Sequence, residues 1–243
     1  MRNIAIVLAA GKGSRMKSDL PKPLHKVHGK TMVYTLVEKL YNNTRIEKIV
    51  VVVGESSNLI ITNLADFNDK IDYIIQKEQH GTGHAVKCCK SYLSTRYPKD
   101  RSLILFADCP LLSNETIDTI LNKDGDCIAC ICKKENPTGS GRIVLDEKGN
   151  IFNSIEQKDC TEEEKKIKLT NVGIYLIKNN LIDNYINQVR NNNSQKEYYL
   201  PDLMLILIAK KYKVVPVLLE NENELININT REDLGKANGI TYF

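Results

Sequence analysis

A chain of 243 residues has room for one large domain or two small ones. Its 42% apolar content suffices for a packed core and excludes wholesale disorder, while a net charge of +4 is far from the basic stripe that nucleic-acid binding requires. The longest apolar runs, Ile4–Ala10 and Leu203–Ala209, fall well short of the roughly 18 residues of a membrane helix, so neither a nucleic acid nor a membrane is an expected partner. Arg2 ahead of the first run imitates a signal peptide, but Gly11-Lys12-Gly13-Ser14-Arg15 follows at once, and the run reads as a first strand. Seven cysteines, an odd number, then point to reduced thiols and a cytoplasmic setting, in which the sequons at Asn42, Asn114 and Asn192 carry no meaning.

The β-branched run Ile4–Leu8 suits a strand buried on both faces, and the same signature recurs at Ile49–Val53, Ile71–Ile75 and Leu103–Phe106. Helical spacing lies between them: Met32, Val33, Leu36, Val37 and Leu40; then Leu59 to Leu64; then Ala85, Val86, Cys89 and Leu93. Alternation at this interval predicts βαβ units and a mostly parallel sheet flanked by helices. After Pro110 short strand-like runs at Cys127–Cys132, Arg142–Leu145, Ile151–Ile155 and Val172–Ile177 predict antiparallel additions, a small β-rich insertion in one α/β domain spanning 1–243. Thr161 with Glu164 reads as a capping box opening a charged helix. Pro201 suits the first turn of a helix over Asp202–Lys210, and Thr230 with Asp233 reads as another N-cap. Cys127 and Cys130 form a C-x-x-C, but in a strand Cys130 and Cys132 share one face and Cys127 points to the other, so buried thiols are expected rather than zinc.

Residues 8–23 read L-A-A-G-K-G-S-R-M-K-S-D-L-P-K-P. A glycine loop directly after a buried strand lets backbone N–H groups approach a phosphate, and Lys12, Arg15 and Lys22 add positive charge. A bare G-x-G is equally an ordinary strand–helix turn. Two familiar motifs fail: Met16 stands where a dinucleotide fingerprint needs its third glycine, and Leu24 stands where a P-loop ending in Gly29-Lys30-Thr31 needs its first. Gly29-Lys30 is read as a helix-entry turn. In His80-Gly81-Thr82-Gly83-His84 the two glycines spoil a helical pair of metal-binding histidines, leaving a helix-entry loop.

The segment 8–23, followed in order by Q-K-E-Q-H-G-T-G-H-A (76–85), A-D-C-P-L (107–111), P-T-G-S-G-R-I-V (137–144), E-Q-K-D (156–159), T-N-V-G-I-Y (170–175), E-Y-Y-L-P-D (197–202) and I-N-T-R (228–231), resembles the sugar-nucleotide pyrophosphorylases, and within them the N-terminal uridyltransferase domain of the bacterial GlmU family. The resemblance implies a nucleotide-diphospho-sugar transferase fold, Rossmann-like, with a nucleotide-binding half over 1–110 and a sugar-binding half over 111–243. It implies a magnesium-dependent enzyme that joins UTP and N-acetylglucosamine 1-phosphate to give UDP-N-acetylglucosamine and pyrophosphate. Ala9, Ala10, Gly11 and Gly13 would hold the nucleotide, with Arg15 and Lys22 as catalytic cations. Gln76, Gly81 and Thr82 would face the base, Gly141, Glu156, Asn171 and Tyr199 the sugar, and Asp108 and Asn229 would bind Mg2+. Taken singly, Lys22 is a solvated lysine after proline and Asn229 a turn residue before the Thr230 cap. A cytidylyltransferase of the same fold and a non-catalytic nucleotide-sugar sensor stay open as alternatives, and so does a homo-oligomer.

Four positions depart from the family pattern: Ala107 for glycine, Ser140 for tyrosine, Pro201 for threonine, and Thr230 for asparagine or aspartate. They touch the sugar side more than the triphosphate side. The hexapeptide repeats of the GlmU acetyltransferase half are absent from these 243 residues, so no acetyl transfer is expected of the chain.

Overall fold

The computed structural model describes residues 1–55 and 57–239. In chain order its strands are β1 (Asn3–Leu8), β2 (Lys26–Val27), β3 (Lys30–Thr31), β4 (Ile46–Val53), β5 (Ile71–Ile75), β6 (Arg101–Phe106), β7 (Cys127–Lys133), β8 (Arg142–Leu145), β9 (Ile151–Ile155), β10 (Leu169–Lys178) and β11 (Val214–Leu218). The helices are α1 (Met32–Asn42), α2 (Ser57–Asn63), α3 (Thr82–Cys88), α4 (Lys90–Arg96), α5 (Asn114–Leu121), α6 (Asn179–Tyr185), α7 (Leu200–Ala209) and α8 (Arg231–Gly239). Among the described residues no helix is long and apolar enough to cross a membrane.

One sheet carries the order β11-β7-β10-β6-β1-β4-β5, with β8 and β9 branching from β10. β1 pairs in parallel with β4 on one side and β6 on the other. Strand β10 runs antiparallel to both β6 and β7, which accounts for the changed rhythm after Pro110. The strands β1, β4, β6 and β7 are buried on both faces over most of their length, so they carry apolar residues at odd and even positions alike. In β1, Ala5 and Val7 join the core beneath α1, α2 and α5, while Ile4, Ile6 and Leu8 join the core beneath α3, α4, α6 and α7. In β7, Cys130 and Cys132 lie on the first face and Cys127 on the second, as strand geometry requires, and all seven cysteines are free thiols.

Local signals explain most boundaries. Thr31 caps α1 by accepting from the Tyr34 N–H, and Ser113 caps α5 by accepting from Thr116. Thr230 and Asp233 exchange hydrogen bonds at the start of α8. Thr161 and Glu164 form the expected box, but only the single turn Glu164–Lys166 follows, because that segment buries no residue. Gly29-Lys30 is not a helix entry: His28 and Gly29, at φ 50° and 85°, form the turn of the β2–β3 hairpin, Lys30 already pairs with Val27 in β3, and α1 begins only after β3. The helix expected from Ala85 to Leu93 breaks at Cys89, whose N–H donates to the Val86 carbonyl three residues back. Strand β11 is not among the strands that the sequence predicts. Pro216 lies within it, and the strand takes a proline because it sits at the sheet edge.

Candidate active site

Strand β1 has its sequence successors β4 and β5 on one side and β6 on the other, so the strand order reverses beside it. In open α/β sheets ligands bind at such a switch point, beyond the carboxyl ends of the strands. The structure opens there into two adjoining clefts of about 550 Å³ each. The first is lined by every residue assigned above to the nucleotide: Ala9, Ala10, Gly11, Gly13, Lys22, Gln76, Gly81 and Thr82, together with Arg15 and Lys12. The second is lined by all four assigned to the sugar: Gly141, Glu156, Asn171 and Tyr199. Arg15, Lys22, Thr82, Phe106, Asp108, Glu197 and Asn229 line both and mark the junction.

The loop after β1 winds as one tight turn, Ser14–Met16, between Gly13 at φ 63° and Lys17 at φ 48°. Met16 is fully buried and anchors the turn, whereas Gly11 is exposed with nothing packed above it. The loop is held from the far end of the chain: the Arg231 guanidinium donates to the Met16 and Lys17 carbonyls at 3.2 and 2.9 Å. Lys22 enters the junction from a second tight turn, Lys22–Leu24, preceded by Pro21.

At the junction the Lys22 ammonium donates to Asp108 Oδ2 and, at 2.6 Å, to Asn229 Oδ1. Arg15 Nη2 donates to the same Asn229 oxygen at 2.8 Å. The Lys22 and Asp108 side chains are only 14% and 12% exposed, so the pair is shielded from water and its attraction is screened less than that of a surface pair. A carboxylate oxygen and an amide oxygen therefore converge on one cation. That donor set suits a hard divalent ion, since magnesium commonly takes one or two protein oxygens and completes its shell with phosphates and waters. Asn229 also stands in the turn ahead of α8, its N–H donating to Asp233 at 3.0 Å, so the turn role and the convergent role belong to one residue.

In the first cleft Gln76 is 3% exposed; its Nε2 lies 3.3 Å from the Gly81 carbonyl and 3.0 Å from His84 Nδ1. Gly81 lines this cleft and is also closely approached from the Tyr198 side: at φ +103° a β-carbon there would lie 2.7 Å from the Tyr198 carbonyl. Segment 197–200 is laid against this loop by hydrogen bonds from the Gly83 N–H to the Tyr198 carbonyl and from the Leu200 N–H to Thr82 Oγ1. Thr82 thus holds the start of α7 as well as lining both clefts.

In the second cleft Asn171 lies where β10 slips register against β7. It donates to the Tyr175 hydroxyl at 2.6 Å and accepts from the Gly173 N–H at 2.9 Å. The Tyr199 hydroxyl accepts from Gln195 at 2.7 Å. Burial pushes the Glu156 carboxyl up to about 6, and Asp159, Asp202 and Glu197 push in the same direction. Asp202 is likewise raised to about 6 by burial and by Asp159. Behind the cleft wall, the buried Arg142 guanidinium bonds the Ser140 carbonyl, Gln157 Oε1 at 2.8 Å and the Lys165 carbonyl at 3.2 Å. It faces no carboxylate in these bonds, and its Nε is unpartnered. Phe106, Lys134, Gln195 and Glu197 line the clefts without having been singled out from sequence. Arg142 and Arg231 stand in the blocks 137–144 and 228–231, but their hold on backbone carbonyls and, for Arg142, on Gln157 Oε1 is a role that no spacing marks.

Residues 5–192 match the MobA-like NTP transferase domain. The chain is 40% identical over 237 residues to a protein of Acanthamoeba polyphaga mimivirus named "Probable UDP-N-acetylglucosamine pyrophosphorylase", covering 94% of this chain and 92% of that one. It is 39% identical to the bifunctional protein GlmU of Clostridium beijerinckii and 38% identical to that of Clostridioides difficile, spanning about half the length of each, 52% and 51%. In fold it resembles a crystal structure described as a glucose-1-phosphate thymidylyltransferase from Bacillus anthracis, with a TM-score of 0.77 at 18% identity over 99% of this chain and 97% of that one. A glycine loop, two clefts and a shared cationic junction on this sheet, together with these matches, place the chain in the MobA-like NTP transferase family.

Proposed function

We propose that the protein is a UDP-N-acetylglucosamine pyrophosphorylase, transferring the uridylyl group of UTP to N-acetylglucosamine 1-phosphate. The observation that carries this reading is the junction: Lys22, Arg15, Asp108 and Asn229 gather where a nucleotide cleft meets a second polar cleft. The 40% identity to the mimiviral protein over nearly its whole length supports the choice of substrates.

The sugar phosphate is already anionic at neutral pH, so its oxygen needs no general base. It attacks the α-phosphorus in line; the bond from that phosphorus to the bridging oxygen breaks, and pyrophosphate departs with the electron pair. Such a reaction rests on positioning and on neutralising charge. The backbone of residues 9–13 cradles the triphosphate, with Lys12 and Arg15 offsetting its charge. Lys22 stabilises charge developing around the α-phosphate. Asp108 and Asn229 would hold Mg2+, which when bound neutralises phosphate oxygens and fixes their orientation. Gln76 reads the uracil edge, and Glu156 and Asn171 bind hydroxyl and acetamido groups of the sugar. The free thiols suit a cytoplasmic setting.

A panel of five nucleoside triphosphates against several sugar 1-phosphates, with pyrophosphate release as the readout, tests the assignment. UTP with N-acetylglucosamine 1-phosphate should give the highest kcat/KM. Equal or better turnover with CTP overturns the choice of nucleotide. Tight binding of the UDP-sugar without any pyrophosphate release in the presence of Mg2+ would make the chain a sensor.

A further inference from the structure

Gln76 lines the nucleotide cleft, and His84, half-buried behind it on α3, is not among the cleft-lining residues. The two side chains are nonetheless joined. Gln76 Nε2 lies 3.3 Å from the Gly81 carbonyl and 3.0 Å from His84 Nδ1. A carbonyl can only accept, so the atom of Gln76 facing it is the amide nitrogen, and the same nitrogen then donates to His84 Nδ1. An Nδ1 that accepts belongs to the tautomer with its proton on Nε2. Both amide hydrogens of Gln76 are thereby occupied, and only Oε1 is left to meet a ligand.

We propose that His84 is a positioning residue for base selection: together with the Gly81 carbonyl it locks the Gln76 amide so that an acceptor, and never a donor, faces the base. This rests on the reading of the first cleft as a site for a uracil nucleotide. Uracil carries an N3–H between two carbonyl groups, and an acceptor satisfies that hydrogen. Cytosine has a bare N3 in the same place, and a fixed acceptor opposes its lone pair. An unrestrained glutamine could rotate to offer its NH2 group to cytosine instead. Without the lock, the same residue would serve both bases; with it, only one. A buried polar group that cannot turn discriminates well between ligands that differ in a single donor.

The test is the ratio of kcat/KM for UTP to that for CTP, with the sugar 1-phosphate saturating. His84→Phe keeps a ring of similar bulk but removes the acceptor. The ratio should fall by about tenfold or more, through opposite changes in the two KM values, with kcat for UTP held within about threefold. His84→Asn restores an acceptor near the position of Nδ1 and should recover most of the ratio, which a merely structural role would not produce. Because His84 acts through Gln76, His84→Phe should leave the ratio unmoved in a Gln76→Leu background. If His84→Phe does not fold, as judged by thermal melting, His84→Ala carries the same comparison. A folded His84→Phe or His84→Ala protein with the parental ratio overturns the inference. A parent protein that does not prefer UTP overturns instead the functional reading beneath it, so the two failures are distinct.

Discussion

Gly13 and Lys22 are packed so closely that a β-carbon on Gly13 would lie 2.5 Å from the β-carbon of Lys22. The second glycine of the loop is therefore a clearance for the lysine nine residues later, as well as a residue at φ 63°. Gly13→Ala should displace Lys22 from Asp108 and Asn229. The expected result is a fall in kcat of roughly 100-fold, the scale set by small misplacements of catalytic groups, with the fold retained. Circular dichroism and steady-state pyrophosphate release check it; wild-type kcat would show that the loop yields without moving Lys22.

Lys22 and Asp108 should fail in different ways. Lys22→Ala removes a cation whose contribution grows as charge develops, so kcat should drop by roughly 100-fold or more with KM for UTP nearly unchanged. Asp108→Asn keeps the shape and removes the charge. It should raise the Mg2+ concentration needed for half-maximal rate, and excess Mg2+ should restore only part of the turnover. Titration of Mg2+ at saturating substrates separates them. An Asp108→Asn enzyme with parental activity at ordinary Mg2+ removes the metal assignment.

The raised Glu156 carboxyl gives a stability prediction with a definite sign. Its native pKa of about 6 exceeds the ordinary 4.5, so the folded state binds its proton more tightly than the unfolded state does. Stability therefore falls as pH rises from 4.5 through 6. Glu156→Gln should stabilise the protein at pH 7 by about 2 kcal/mol at most, and the gain should vanish near pH 4.5. In the same variant KM for the sugar phosphate should rise and lose the part of its pH dependence near 6 that the parent shows. Melting curves at both pH values and KM profiles for both proteins are the measurements.

Arg142 is buried on backbone carbonyls and one glutamine oxygen. Arg142→Lys cannot span the three acceptors. It should cost about 3 kcal/mol, the scale of lost hydrogen bonds to a buried charge, and should raise KM for the sugar phosphate more than KM for UTP. Denaturant unfolding with paired KM values tests this; equal changes in both KM values would mean that the 137–141 loop does not report on Arg142.

The sequence is most informative where one residue type has one use. The strands β1, β4 and β6 announce themselves because both faces are buried, and the half-exposed edge strand β5 by its apolar run Ile71–Ile75. The glycine loop, Gln76 and Asp108 follow strand ends directly, so chain position alone puts each of them on the sheet rim. Other elements are illegible for physical reasons. Strand β11 carries Pro216, which argues for a strand only once the edge position is known. The charged turn after Thr161 has a helix start signal but no apolar face to propagate it. Asn229 reads as a turn residue by itself; its second role arises from the return of α8 to the first loop, a contact between opposite ends of the chain. Arg231 is the same case, a surface cation by type and a loop clamp by placement.

The reach of Arg231 back to Met16 and Lys17 has a consequence for how the protein is made. Translation delivers the glycine loop first and its clamp, Arg231, only 215 residues after Met16, together with Asn229. A nascent chain can form β1, β4, β5 and β6 early, because these strands pair with one another and their sequence is complete by Phe106. It cannot yet fix the loop or complete the oxygen pair around Lys22. Catalytic competence should therefore appear abruptly, when the segment carrying Asn229 and Arg231 clears the ribosome, rather than accumulate as the sheet grows.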